Sequence, residues 1–364
     1  MGVLQAVDDD PAGHVTRALA EYFDSRQAQV AEIGQDFAAA VEVLREFVLG
    51  GGKRIRPTFA WWGWRGAGGA AEGPQALAAL RALSALELLQ ASALIHDDLM
   101  DSSATRRGAP TVHVRFAAQH REHRWHGTPE QFGLAAAVLL GDIALAWTDD
   151  MFASAGLPFE ALTRAVPPWQ AMRVEVLAGQ YIDVRTQASG DESVEAALRI
   201  DRFKTAAYTV ERPLHLGAAL GGASQELIEA YRAFGAEVGI AFQLRDDLLG
   251  VFGDPEVTGK PAGDDLREGK RTLLVALGIE HAQRAGRYGD VELLRACLGR
   301  DGLDTDDVGK IRDLLVEVGA VAAVEHRIAE LTGSALARLR AAPMPELVAD
   351  RLAELTVAAT TRNR

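Results

Sequence analysis

The chain has 364 residues and a mass of 39.0 kDa, enough to bury a sizeable core without disulfides or a structural metal. Its one cysteine, Cys297, excludes an internal disulfide, and no Cys/His set has zinc spacing, so a secreted disulfide scaffold and a zinc module are both excluded and a reducing compartment, the cytoplasm, is expected. With 38 Lys and Arg against 51 Asp and Glu, a net charge of −13, the chain lacks the cationic surface that general nucleic-acid binding needs, and any anionic ligand must be held locally.

Residues 1–15 carry Asp8, Asp9 and Asp10 and no basic segment followed by an apolar one, so they read as a disordered N-terminus and not a signal peptide. Ala6 stands where a myristoylation signal wants Ser or Thr. Residues 16–364 read as one all-α domain. Apolar residues recur at helical spacing, as in Leu77, Leu80, Ala82, Leu83, Leu86 and Leu89, and again in Ile311, Leu314, Leu315 and Val318. Breaks at 66–73, 127–129, 156–158, Pro167–Pro168, 253–263, 299–302 and 342–345 divide the chain into about ten or more helices. Trp61, Trp62 and Trp64 are expected in the core. The polar stretch His120–Gly133, with His120, His123 and His126, reads as a solvated loop and not a metal site. The apolar run Phe132–Trp147 is interrupted by Asp142 and too short to span a bilayer, so no transmembrane segment is expected. Acidic residues 301–307 read as a helix start capped by Asp304 or Thr305.

Chemistry concentrates at the end of the apolar helix Leu88–Asp101. Asp97 and Asp101 lie one turn apart on one face, with Asp98 beside them. Three acids this close repel one another and are out of place at a helix C-terminus unless cations neutralise them. Hard divalent cations bridging to phosphate fit best, and magnesium above all. A second pair, Asp246 and Asp247, ends another apolar helix, and two such ends can face each other across a bundle. Cations for a phosphate-rich ligand stand nearby in sequence: Gly50-Gly51-Gly52-Lys53-Arg54-Ile55-Arg56-Pro57, Arg106-Arg107-Gly108, Lys204-Thr205, and the stretch from Gly259 to Thr272 with Lys260 and Lys270.

Taken together, the segments 51–57, 97–101, 106–113, 204–205, 243–247 and 259–272 resemble the trans-isoprenyl diphosphate synthase (polyprenyl synthetase) family in order and spacing, from about Phe37 to the last helices. The resemblance implies a single-domain bundle of long helices around a deep central cavity, usually homodimeric, that condenses isopentenyl diphosphate with an allylic diphosphate. It implies that Asp97, Asp101 and Asp246 hold magnesium, three ions with substrate bound, and that Asp98 and Asp247 support them. Arg106, Lys204, Thr205, Gln243, Lys260 and Lys270 resemble the allylic-diphosphate contacts. Lys53, Arg56, Gln90 and Arg107 resemble the isopentenyl diphosphate pocket. No side-chain nucleophile is needed, since charge on the departing diphosphate is stabilised by metal and cations.

Two positions depart from the family pattern. Gln90 replaces a common His, and its amide can still donate to phosphate. Gly250 replaces the third Asp of the second cluster, with Asp254 a candidate substitute. Small residues Ser92 and Ala93, one turn before Asp97, leave depth for a growing chain down to Leu89 and Leu86, so geranylgeranyl diphosphate is the expected product, before a longer polyprenyl chain or farnesyl diphosphate. A class I terpene cyclase leaves residues 51–57 and 106–108 unexplained, and an HD-type phosphohydrolase lacks the further spaced His ligands. A non-catalytic regulatory subunit of a prenyl synthase is disfavoured by the retained charges.

Overall fold

Ala, Leu, Glu and Arg, all strong helix formers, dominate the sequence, and helices take up 81% of the structure. The structure is a computed structural model and describes residues 6–254, 263–300 and 302–361. A short 3₁₀ turn (Val7–Asp9) leads into α1 (Pro11–Ile33), α2 (Gln35–Leu49), α3 (Ile55–Gly66), α4 (Gly73–Met100), α5 (Val112–His123), α6 (Pro129–Ala153), α7 (Phe159–Ser189) and α8 (Val194–Ile200). A π-helical segment (Asp201–Glu211) follows, then α9 (Arg212–Gly221) and α10 (Gln225–Phe252). The last helices are Asp264–Arg267, Leu273–Arg284, Tyr288–Cys297, Thr305–Glu317, Ala320–Ala341 and Glu346–Thr360. Among the described residues the only strands are two-residue pieces, Thr105–Arg106 against Ala109–Pro110, which make a hairpin.

Helix α4 is apolar on all sides and therefore becomes the mast of the bundle. Leu80, Leu83, Leu86, Leu88 and Leu89 are buried, as are Trp61, Trp62 and Trp64 of α3. A second core gathers around Leu274, Ile279, Leu294, Ile311 and Leu315. Helix α10 runs through both cores, giving Tyr231, Phe234 and Val238 to the first and Leu244, Leu248 and Val251 to the second. The start of α3 is tied to α4 inside the first core, where Arg54 and Glu87 pair at 2.7 Å with side chains 4% and 6% exposed. Arg54 also donates to the Val48 carbonyl at the end of α2.

Three expectations are corrected. Residues 7–9 and 11–15 are helical, with Asp8 accepting hydrogen bonds from the Trp61 indole (2.8 Å) and Arg65 (3.0 Å) and Val7 and Val15 buried. Helix α7 runs straight through Pro167 and Pro168; Trp169 stacks on Phe152 at 4.2 Å and Met172 is buried, so packing offsets the missing backbone donors. The stretch 120–133 is not one solvated loop. His120 sits in the last turn of α5 and is buried against Phe132 and Trp125, and His123 stacks on Trp125. Asp304 caps its helix as expected, accepting from the Asp307 amide at 2.8 Å.

By length and composition alone, α4 and α6 could each cross a membrane; 78% of the α4 window is buried inside the fold, against 33% for α6. The N-terminal latch gives a direct test. Asp8→Ala removes the acceptor of a buried indole N–H and should lower unfolding stability by about 1–2 kcal/mol in urea denaturation, whereas a disordered segment would leave it unchanged.

Candidate active site

The C-terminal end of α4 delivers Asp97, Asp98 and Asp101 to one place, with Gln90 two turns deeper. Opposite lies the π segment, which carries Lys204 and Thr205. Lys204 donates to Asp97 Oδ1 at 3.0 Å and to Asp183 Oδ2 at 2.5 Å. Gly179 of α7 makes this reach possible, since a Cβ there would collide with the Lys204 backbone. Asp183 lies one turn beyond Gly179 on the same helix face and is 5% exposed. Sequence reasoning missed Asp183, an acid on a long helix with nothing in the sequence to mark the lysine it meets.

The hairpin after α4 turns at Arg107 and Gly108, both at positive φ, and aims Arg106 back at the acids. Arg106 Nε donates to Asp98 Oδ1 at 2.6 Å, and its Nη2 lies 3.4 Å from Asp97 Oδ2. From the far side comes Lys270, 2.6 Å from Glu268 Oε2 and 3.6 Å from both Asp101 and Asp265. On α10, Gln243 donates to Asp247 Oδ1 at 2.6 Å and Asp246 is half-buried. Lys260 lies outside the described residues. Glu268 and Asp265 also went unrecognised in the sequence, although they stand in the same stretch as Lys270.

The second cluster departs from expectation in an instructive way. A Cβ on Gly250 would collide with the Asp265 carboxylate, so Asp265, and not Asp254, places an acid where the third aspartate of the cluster would project. Asp254 lies exposed beyond the end of α10.

Charge explains the ionisation of the group. Burial pushes the Asp97 carboxyl up, but Lys204, Lys270 and Arg106 outweigh it and hold it at about 2. Asp101 is pushed up to about 6 by burial and by the neighbouring Asp97 charge. Burial and the Asp183 charge raise Asp201 to about 8, and burial with Asp201 and Asp265 raises Asp247 well above the usual range. Lys204 and Lys270 resist the effect of burial because carboxylates surround them, and both are held above the usual lysine value.

An arginine-rich group, with Glu87 paired to Arg54, lies beside the mixed one. Arg107 donates to the Gly51 carbonyl at 3.1 Å, and burial with the charges of Arg54, Arg106 and Arg56 outweighs the nearby Glu87 carboxylate and depresses its pKa. Guanidinium groups crowded to mutual repulsion describe a place built for an anion. Arg56 stands over the Tyr208 ring, and Tyr208 donates to Gln90. Lys53 lines a neighbouring cavity of about 290 Å³ with Asp9, Ile55, Phe59 and Leu355.

The donor set of the acidic clusters is all carboxylate oxygen, and Asp101 Oδ2 and Asp247 Oδ2 are buried without accepting a hydrogen bond. Such oxygens suit a hard divalent cation such as magnesium. The polyprenyl synthetase family model matches residues 38–315, a span that holds both acidic helix ends and every basic island described above. The chain belongs to the polyprenyl synthetase family. It is a trans-prenyltransferase. A geranylgeranyl pyrophosphate synthase from Corynebacterium glutamicum, solved in complex with isoprenyl diphosphate and magnesium, is 46% identical, with 96% of this chain and 98% of that one covered and a TM-score of 0.92. A geranylfarnesyl diphosphate synthase of Aeropyrum pernix is 34% identical over 66% of this chain and 69% of its own length. A (2E,6E)-farnesyl diphosphate synthase of Mycobacterium bovis is 37% identical over 55% of this chain, which spans about half, 51%, of that relative.

The raised Asp101 carboxyl gives a signed prediction for metal-free protein. Its folded value of about 6 exceeds the unfolded value near 3.8, so its contribution is fully present below pH 3.8 and is lost as pH rises through 6. In chelator, Asp101→Asn should therefore be more stable than wild type at pH 7, by about 3 kcal/mol, and the difference should vanish near pH 4 in thermal melts.

Proposed function

We propose that the protein condenses isopentenyl diphosphate with an allylic diphosphate in a magnesium-dependent reaction whose main product is geranylgeranyl diphosphate. The observation that carries this reading is the acidic end of α4 held by Arg106, Lys204 and Lys270, with Lys270 reaching on to Asp265 against α10 and a group of arginines close by. A site for one diphosphate with cations and a separate site for a metal-free diphosphate are what such a condensation requires.

Asp97, Asp101 and Asp246 would hold magnesium, three ions in all, with Asp98, Asp247 and Asp265 as supporting carboxylates. Bound magnesium supplies charge neutralisation for the departing diphosphate. Lys204, Arg106 and Lys270 turn from carboxylate to phosphate oxygens as the allylic substrate enters and lower the energy of charge that builds up on the leaving group. Thr205, Gln243 and Lys260 complete that diphosphate site. Arg56, Arg107, Lys53 and Gln90 hold isopentenyl diphosphate so that its alkene faces the allylic carbon, an arrangement that gains rate through orientation. The proton lost from the condensed product goes to the released diphosphate.

Chain length follows from depth. Ser92 is buried one turn before Asp97, Ala93 is half-buried beside it, and Leu89 and Leu86 lie buried further down α4. Small side chains near the reaction centre admit a tail that larger ones would stop. The names of the three relatives, for farnesyl, geranylgeranyl and geranylfarnesyl products, bracket this length.

A second copy of the chain is the partner that suits α6 and α7. Their outer faces expose Leu134, Val138 and Leu139 on one and Val174, Leu177, Tyr181 and Val184 on the other, an apolar area that a monomer would leave in water. With its lone cysteine buried in the second core, the enzyme suits a reducing compartment, and we place it in the cytoplasm.

Purified protein given magnesium, isopentenyl diphosphate and farnesyl diphosphate should form a twenty-carbon diphosphate. Chelator should abolish the product, Asp97→Ala should reduce turnover by about a hundredfold or more, and Ser92→Phe should shorten the product. Failure to elongate any allylic starter would remove this reading. In light scattering the protein should have twice the chain mass, and Leu139→Glu with Leu177→Glu should yield monomer.

A further inference from the structure

Gln90 and Tyr208 come from different helices and are 118 positions apart, yet the Tyr208 hydroxyl donates to Gln90 Oε1. Tyr208 is 2% exposed and sits in the π segment four residues after Lys204. On its ring face stands the Arg56 guanidinium, 4.2 Å from the centroid, and Arg56 Nη2 donates to the next residue, Thr209, at 2.9 Å. A π-helix turns more widely than an α-helix, so successive side chains such as 208 and 209 diverge less in direction and can grip one partner together. The arrangement joins one tyrosine to two residues of the arginine-rich pocket.

The chemistry of an amide makes this consequential. A glutamine presents an acceptor on one side and two donors on the other, and only the donor side attracts a phosphate. With its oxygen held against the Tyr208 hydroxyl, the Gln90 amide turns its N–H groups away from that ring. A cation above the tyrosine ring favours the hydroxyl as donor in this pair. The same ring fixes a guanidinium whose long side chain would otherwise lose conformational freedom when it binds a ligand.

Resting on the two-diphosphate reading above, we propose that Tyr208 is a positioning residue of the isopentenyl diphosphate site: its hydroxyl sets the Gln90 amide with N–H toward the diphosphate, and its ring holds Arg56 in place. Tyr208 itself touches neither diphosphate. Its contribution is to affinity for one of the two substrates, and it leaves the ionisation step untouched.

The test uses the full-length enzyme with saturating allylic diphosphate. Tyr208→Phe keeps the ring beneath Arg56 and removes the hydroxyl; KM for isopentenyl diphosphate should rise about fivefold while kcat and the allylic KM stay within about twofold. Gln90→Ala should raise the same KM at least as much, and adding Tyr208→Phe to it should change nothing further, because the hydroxyl acts through the amide. An unchanged KM in Tyr208→Phe, an equal rise for both substrates, or full multiplication of the two effects would each overturn the proposal. Thermal melts accompany every variant; should Tyr208→Phe fail to fold, Gln90→Met replaces it, and a KM for isopentenyl diphosphate equal to that of wild type then overturns the proposal. Wild-type protein that elongates no starter would instead defeat the two-diphosphate reading and this inference with it.

Discussion

Carboxylates cannot share a buried space without positive charge between them, and this constraint organises the molecule. Asp97, Asp101, Asp183, Asp265 and Glu268 converge from three parts of the chain, and each is answered by Lys204 or Lys270. Removing either lysine would strand charges whose burial costs several kcal/mol each by the usual order of magnitude, about 3–5 for a broken buried pair. The cations are therefore structural in the resting protein. In the proposed reaction they are already in position for phosphate, so the charge that folds the site is also the charge that receives the substrate.

The location of this cluster follows from how the two cores are joined. Helix α10 and the helix Ala320–Ala341 contribute to both, while α4 belongs to the first and the segment after Gly263 to the second. Acids and cations are thus drawn from both cores and meet where the cores meet. A polar site is tolerated there because the surrounding apolar packing is complete on either side. Helix ends, with their unpaired backbone groups, are the natural places for it.

Much of this was legible in the sequence. The all-α fold follows from residue type and 3.6-residue periodicity, and the acidic helix ends declared themselves because like charges at an apolar helix terminus need an explanation. Asp183 and Tyr208 were hidden for a physical reason. Their roles depend on the close approach that Gly179 permits and on a π-helical turn, and neither leaves a periodic trace. Pro167 and Pro168 look like a break because a proline lacks a donor, but stacking of Trp169 on Phe152 carries the helix through. The acidic start misled in the opposite sense: three successive aspartates suggest a solvated tail, whereas one of them is the partner of an indole on α3.

The exchange at Gly250 constrains how this chain can change. Side chain 250 and the Asp265 carboxylate compete for one volume, so an aspartate cannot be added at 250 while residue 265 keeps its carboxylate in place. Removing Asp265 first would take away a partner of Lys270. A side chain at 250 would therefore push the Asp265 carboxylate away from its place beside Lys270. A short acidic motif read on α10 alone misses the carboxylate that a different segment of the polypeptide brings against Gly250.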